Sequence, residues 1–483
     1  MLTEDKVYGN AQVVEGLRVA ERSDELGGYA KRAIDMYEQM NGKQPNVMWR
    51  SALGHILENF NTFQQSLQET VTQASMPFLQ DYGFELIIAL MPGLIADRVF
   101  QTQPAKYKNY SVFYQNYQYG NTKGTTTAND NAITSLTADA INDDYTKDSE
   151  VDKTIGTGDG ATAAYSVLAG VLYVPVVASS VAISSTDVGD NAMAVVDDGA
   201  GALTGDVAAP GTINYTTGAL SFTFNANVKD GTAVLLTYEY VGEGSTTNAM
   251  QYNMVISEKT GQAKERRLRY NFSIESQFSY RQQFGRSMDG DLLAASIMEI
   301  RKEIDQDLIL YGNTVAATTT GANASAGTVT WDRTPDTGVQ YFFWREQFID
   351  TLIEAGNLIV KATGLGQGNV AVGGITFKNV VETIGPRFKS ANTSQVKGSR
   401  FIGTIDGNID CFYEPAMADA KFFVTYKSDN PLEVGIAYNP WMPLYASDPH
   451  MLDNGKLHRY LITSSGKLLI NPKLYVGGTI TTS

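Results

Sequence analysis

The chain has 483 residues, enough for about two to four domains, and its 43% hydrophobic and 18% charged residues are those of an ordinary folded protein. A formal net charge of −15 argues against a free nucleic-acid binder, which carries a basic patch. Cys411 is the only cysteine, and His55, His450 and His458 are the only histidines, so an intrachain disulfide is excluded and a Cys/His zinc site lacks ligands. No metal or cofactor is expected. The start, Met1-Leu2-Thr3-Glu4-Asp5, is polar and acidic and carries no secretory pattern. The apolar run from Phe84 to Ala96 is interrupted by Pro92-Gly93, short of the ~20 residues that a membrane span needs. These features read as a soluble protein made in a cytoplasm, with no membrane partner.

In chain order, residues 1–75 read as helical. Ala30, Ala33, Ile34 and Tyr37, and then Ala52, Ile56, Phe60 and Phe63, fall at helical spacing, while Asn41-Gly42 and Gln44-Pro45 interrupt the pattern. This segment is either a helical arm packed on the body or an extended, removable one. Residues 76–149 open the body. They contain a short helix, the Pro92-Gly93 break and a tyrosine-rich strand with Tyr107, Tyr110, Tyr114, Tyr117 and Tyr119. Such a ladder stacks bases or packs against another subunit, and the scarcity of neighbouring basic residues favours packing.

Residues 150–243 differ in composition. They hold eleven acidic residues against Lys153 and Lys229, a net charge of −9, and no Arg, Trp or Cys. Turn signals recur, and Ile213 and Tyr215 oppose Leu220, Phe222 and Phe224 across a turn near Thr217-Gly218. The spacing predicts a small inserted β-sandwich.

Residues 244–364 return to the body. From Leu268 the run Lys264 to Ile274 alternates apolar and polar, as a strand does. Lys264, Arg266, Arg267 and Arg269 are candidates for touching phosphate or for pairing with carboxylates on a neighbouring subunit. The lack of a second basic cluster favours the carboxylates. The clearest helix is 287–311, capped by Ser287, with Asp289 and Asp291 at its positive end and Gly312-Asn313 as its stop. Its apolar face runs through Leu293, Ile297, Ile300, Ile304 and Leu308. A second long helix, 339–363, stops at Gly364. Residues 365–450 mix helix and strand, and residues 451–483 add strands.

Three stretches, taken in order, resemble the capsid subunits of T-even-type tailed bacteriophages: Pro92-Gly93-Leu94-Ile95-Ala96-Asp97 to Gln103, Glu258 to Leu308, and Tyr426-Lys427-Ser428-Asp429-Asn430 through Gly435 to Trp441. The resemblance implies an α+β chain with the Hong Kong 97-type capsid fold. In that fold 1–75 is the N-terminal arm, the helix at 287–311 is the spine of a peripheral domain, and 365–450 form an axial domain. Residues ~103–270 become an extended loop carrying an immunoglobulin-like insert. The implied function is a major capsid protein that assembles with itself into hexamers and pentamers of an icosahedral head around double-stranded DNA. It acts in the virion after assembly in the host cytoplasm, with scaffold, portal and decoration proteins as partners. The resemblance also implies trimming by a prohead protease after a hydrophobic-x-Glu site. Leu67-Gln68-Glu69 fits, making Glu69 the candidate, as do Ile56-Leu57-Glu58 and Leu2-Thr3-Glu4.

An enzyme is not expected. There is no His-Glu-x-x-His, no Gly-x-Ser-x-Gly and no phosphate-binding Gly-Lys-Ser/Thr loop. Paired carboxylates such as Asp197-Asp198 fall in turn-rich sequence. Two other readings stand beside the shell: a surface adhesin binding receptors or glycans through the β-sandwich, and a tail sheath or tube subunit.

Overall fold

The computed structural model describes residues 11–22, 24–68, 87, 90–123, 126–129, 148–245, 248–317, 328–335, 338–391, 398–451 and 456–482. The chain forms two compact units, one of 1–115, 134–136 and 256–483, the other of 116–133 and 137–255. The second unit contains the stretch 150–243 and extends beyond it on both sides. Strands Asn109–Tyr119 and Tyr252–Gln262 pair as a two-stranded ribbon.

The first unit is α+β. Its N-terminal helices are Ala11–Ala20, Glu25–Asn41 and Val47–Gln68. Asp24 caps the second, accepting from Gly27 N–H at 3.2 Å. Ala30, Ala33, Tyr37, Trp49, Leu53 and Phe60 are buried in the same core as the sheets, so the described part of the arm is packed. Glu69 lies outside the described residues. Glu58, the end of an alternative cleavage motif, sits in a helix whose Ile56 and Leu57 are buried.

Two sheets flank the core. One runs Gln101–Thr102, Ile436–Ala446, Lys456–Leu469, Lys264–Ser273, with His450–Met451 beside the third of these. The other has seven strands in the order Thr328–Asp332, Tyr475–Thr481, Lys421–Thr425, Val370–Gly373, Ile409–Tyr413, Arg400–Ile405, Phe388–Ser390. The helix Tyr341–Thr363 lies on this second sheet. Its Phe348 ring meets those of Trp331, Phe377 and Phe422 with centroids 5.1, 5.9 and 5.5 Å apart.

The basic strand does not run directly into the long helix. A separate helix, Ile274–Phe284, intervenes, begun by Ser273 accepting from Ser276 N–H and ended by Gly285 in the left-handed region. It buries no residue, so it carried no helical apolar period to read. The long helix covers Met288–Ala317, 30 residues or about 45 Å, and continues past Gly312. Gly312 is no stop signal. A Cβ there would lie 2.9 Å from the Phe100 ring, so its role is close approach.

The second unit holds eight antiparallel strands in the order Ser149–Thr157, Ala233–Glu239, Ala182–Thr186, Ala192–Asp197, Ala202–Gly205, Val207–Ile213, Leu220–Phe224, Ala164–Val167. Burial alternates along them, so one face of the sheet is apolar. Those faces share one core, including Ile183, Val195, Leu203, Phe224, Val234 and Tyr238. The sheet therefore curls over itself. This corrects the immunoglobulin-like expectation. That fold divides its strands between two sheets with Greek-key links, whereas here one hydrogen-bonded path carries all eight, five of them a sequential meander. The hairpin at Gly218 stands, with φ +71 at that glycine. The first and last strands of the module are direct neighbours, with Ser149 opposite Glu239 and Glu150 opposite Tyr238.

Candidate functional site

Polar side chains cluster at residues 92–103, where the N-terminal helices, the long helix and both sheets meet. Met91–Gly93 is a single 3-10 turn, buried throughout, followed by the short helix Ala96–Val99. A Cβ on Gly93 would meet the Arg301 guanidinium at 2.2 Å, so glycine admits that side chain. Ala96 N–H donates to Asp305 Oδ1 of the long helix at 2.9 Å.

Asp97 is the hub. Tyr37 Oη donates to its Oδ2 at 2.7 Å, and Thr102 Oγ1 to its Oδ1 at 2.7 Å. The Lys427 ammonium donates to its backbone carbonyl. Burial pulls the Lys427 pKa down, and the Asp97 carboxylate opposes that fall. Arg98 reaches the other way, pairing with Asp410 at 3.3 Å and lying 4.1 Å from the Phe401 ring centre. Gln101 and Thr102 then pair in parallel with Ala437 and Tyr438. Gln103 donates to the carbonyls of Phe113 and Pro431 at 3.0 and 3.1 Å.

The long helix is tied down by three aspartates. Asp289 accepts from Arg459 and from Tyr270 Oη, each at 2.8 Å. Asp305 is fully buried, and that burial pushes its carboxyl up to about 7 against the pull of the Ala96 N–H and Arg301. Asp307 takes Arg266 at 2.8 Å and Lys467 at 2.6 Å.

The basic strand is thereby partly accounted for within one chain. Arg266 is mostly buried against Asp307 and Glu303, and Arg267 pairs with Glu265 at 2.6 Å. Both have carboxylate partners within this chain. Lys264 and Arg269 are exposed and form no ion pair among the described residues. A cleft of about 530 Å³ beside this strand is charge-balanced, with Lys264, Arg266 and Lys467 against Glu265, Glu303 and Asp307. Of the tyrosine ladder, Tyr110 and Tyr119 are buried and Tyr117 stacks on Tyr252 at 5.4 Å, while Tyr107 is exposed.

Sequence reasoning missed Asp97, Asp305, Asp307 and Lys427 as partners. The available signal was a charge inside an apolar run, as in Leu94-Ile95-Ala96-Asp97 and Ile304-Asp305. In the second unit the acids act locally. Asp159, Asp187 and Asp198 each accept backbone N–H groups two to four residues ahead, which holds all three carboxyls below the usual range, Asp159 at about 2. Among the described residues no cluster of His, Cys, Asp or Glu could hold a metal ion. No described helix is long and apolar enough to cross a membrane.

The profile of the family described as "Major capsid protein Gp23" matches residues 79–478, most of the chain. The chain belongs to the Gp23 major capsid protein family. Its sequence is 25% identical to the major capsid protein of Enterobacteria phage T6 over 229 residues, 43% of this chain and 45% of that protein. With the Enterobacteria phage T4 counterpart it is 25% identical over 228 residues, 43% of each. The alignments thus span less than half the length of these curated relatives. Among solved structures, the capsid of Myoviridae Phage XM1 matches at a TM-score of 0.33 and 11% identity, covering 49% of this chain and 80% of that one. The SrpI encapsulin of Synechococcus elongatus matches at 0.31 and 9%, covering 47% and 77%. Likenesses of that size carry no weight on fold.

Proposed function

We propose that this chain is the shell subunit of a tailed-phage head, assembling with itself into hexamers and pentamers that enclose double-stranded DNA. The carrying observation is the family match across residues 79–478. In this reading the body follows the Hong Kong 97-type plan. The segment before residue 75 is the arm, the Met288–Ala317 helix is the spine, and the seven-stranded sheet belongs to the axial region. The aspartate ties along the spine support it, because a lattice subunit must carry load between neighbours without its elements sliding.

Each subunit contact buries on the order of 1,000 Å² or more, and a closed symmetric lattice makes many modest contacts hard to undo together. Lys264 and Arg269, exposed and without an ion pair among the described residues, are the intersubunit candidates on the basic strand. With Arg266 and Arg267 held by the chain's own acids, little basic surface is left there to grip phosphate, consistent with DNA being enclosed and not read. Scaffold, portal and decoration proteins complete the head, and a prohead protease trims after Glu69. The family match favours this reading over an adhesin or a tail subunit.

Negative-stain microscopy of the expressed chain tests it. Rings, sheets or shells are expected, and a stable monomer at high concentration overturns it. Mass spectrometry of virions tests the trimming: a mature terminus at Thr70 is expected, and an intact Met1 or Leu2 terminus removes it.

A further inference from the structure

The helix Ile274–Phe284 is held in place without a core of its own. Ser273 caps one end, accepting from Ser276 N–H at 3.1 Å, and Gly285 in the left-handed region closes the other. Tyr280 ties it to the long helix by donating to Asp291 at 2.8 Å. Eleven residues are too few for a stable isolated helix in water, yet this one buries no residue. Phe278 stands two residues from Tyr280, and so on the opposite side of the helix, away from the body. With Ile274, one turn earlier, it forms an outward apolar pair, the two being 65% and 51% exposed.

Two opposite charges frame that pair. Glu275 stands three residues before Phe278 and Arg281 three residues after it, about 4.5 Å either way along the axis and on opposite shoulders of the outward side. Positions six apart are not neighbours on a helix surface. Both side chains are exposed, and neither forms an ion pair among the described residues. The pattern is self-complementary. Turned end for end about Phe278, the helix brings arginine to the level of glutamate and glutamate to the level of arginine.

We propose that two copies of this chain meet here across a two-fold axis, helix against antiparallel helix, with Phe278 on Phe278 and each Glu275 level with the other copy's Arg281. A parallel pairing would set glutamate against glutamate and arginine against arginine. A surface that faces itself joins two copies only, so it cannot run round a ring of five or six, which takes head-to-tail contacts. It therefore links a subunit of one ring to a subunit of the adjoining ring. Three helical turns cover less than the ~800 Å² per partner of a standard stable complex, so the contact holds when many close together in a lattice and not as a free dimer. This inference rests on the shell reading and names the surface by which neighbouring rings meet.

A single cysteine tests it, with buried Cys411 as a silent background. Assembled particles of Phe278→Cys, mildly oxidised, are expected to give covalent dimers and nothing larger on a denaturing gel, because a two-fold axis brings that position to its own copy. Wild-type particles treated alike should give monomer. Phe278→Cys particles that form but give only monomer overturn the contact and leave the shell reading intact. If the cysteine variant does not assemble, a charge series decides. Glu275→Arg and Arg281→Glu, each alone, are expected to lower the yield of closed particles at least tenfold and to leave separate rings visible by negative stain. The two changes made together should restore the yield to within about threefold. Closed particles from both single variants at the wild-type yield, or failure of the double variant to rescue, overturn the contact. A wild-type chain that stays monomeric beside these variants sinks the shell reading, and this contact with it.

Discussion

The two units use acidic residues in opposite ways. In the second unit, aspartates such as Asp159, Asp187 and Asp198 are exposed and bind the backbone of their own turns. In the first, Asp97, Asp289, Asp305 and Asp307 bind groups distant in sequence, joining helix to strand and helix to loop. A carboxylate serving its own turn is local and nearly independent of the rest of the fold. One buried between elements is coupled to several partners, so losing it is felt across the whole core.

Substitutions can break or sharpen that contrast. The largest effect is expected at Asp97→Ala, which strips Tyr37 and Thr102 of an acceptor and removes the carboxylate beside buried Lys427. The loss should be about 3–5 kcal/mol, read by urea unfolding, with Tyr37→Phe near 1 kcal/mol as the milder control. A loss at Asp97→Ala no larger than at a surface site would remove the hub.

Asp305 comes next. Its folded carboxyl is raised to about 7 from 3.8, so its stabilising contribution is complete below the unfolded value and fades as pH rises through the folded one. The first unit should lose stability between about pH 4 and pH 7 on this account. Asp305→Asn should flatten that slope and gain on the order of 2 kcal/mol at pH 8. A pH profile unchanged by the substitution would refute the assignment.

The turn aspartates carry the opposite sign. Their folded carboxyls are lowered, with Asp159 at about 2, so their contribution holds above pH 3.8 and is lost as pH falls toward 2. Melting of the second unit should drop over that interval, and the triple change of Asp159, Asp187 and Asp198 to Asn should blunt the drop. The smallest effect belongs to Arg267→Ala, whose exposed pair with Glu265 should leave the urea midpoint unchanged within error. A clear drop in that midpoint would mean that Arg267 has a structural role its exposed pairing does not reveal.

Elements with a strong apolar period were legible in the sequence. The alternation of Leu220, Phe222 and Phe224 gave a strand, and the spacing of Ile300, Ile304 and Leu308 gave the long helix. The Ile274–Phe284 helix was not legible because it buries nothing. Gly312 misled as a stop because local propensity says nothing of the Phe100 ring that occupies the space where its side chain would be. The two-sheet expectation failed for a related reason: alternation fixes which face of a strand is buried, but not whether the opposing face belongs to a second sheet or to the same sheet curled round. The Asp97 hub depends on partners as far off as Lys427, 330 positions along the chain, and no local pattern carries that.

The neighbouring first and last strands of the second unit bear on engineering. With Ser149 opposite Glu239, the points where the module is entered and left lie one strand spacing apart, about 5 Å. A short bridge can therefore replace everything between them, and any foreign domain whose own ends lie together can be grafted in without stretching the flanking chain. In a repeating lattice such a graft would be presented once per subunit.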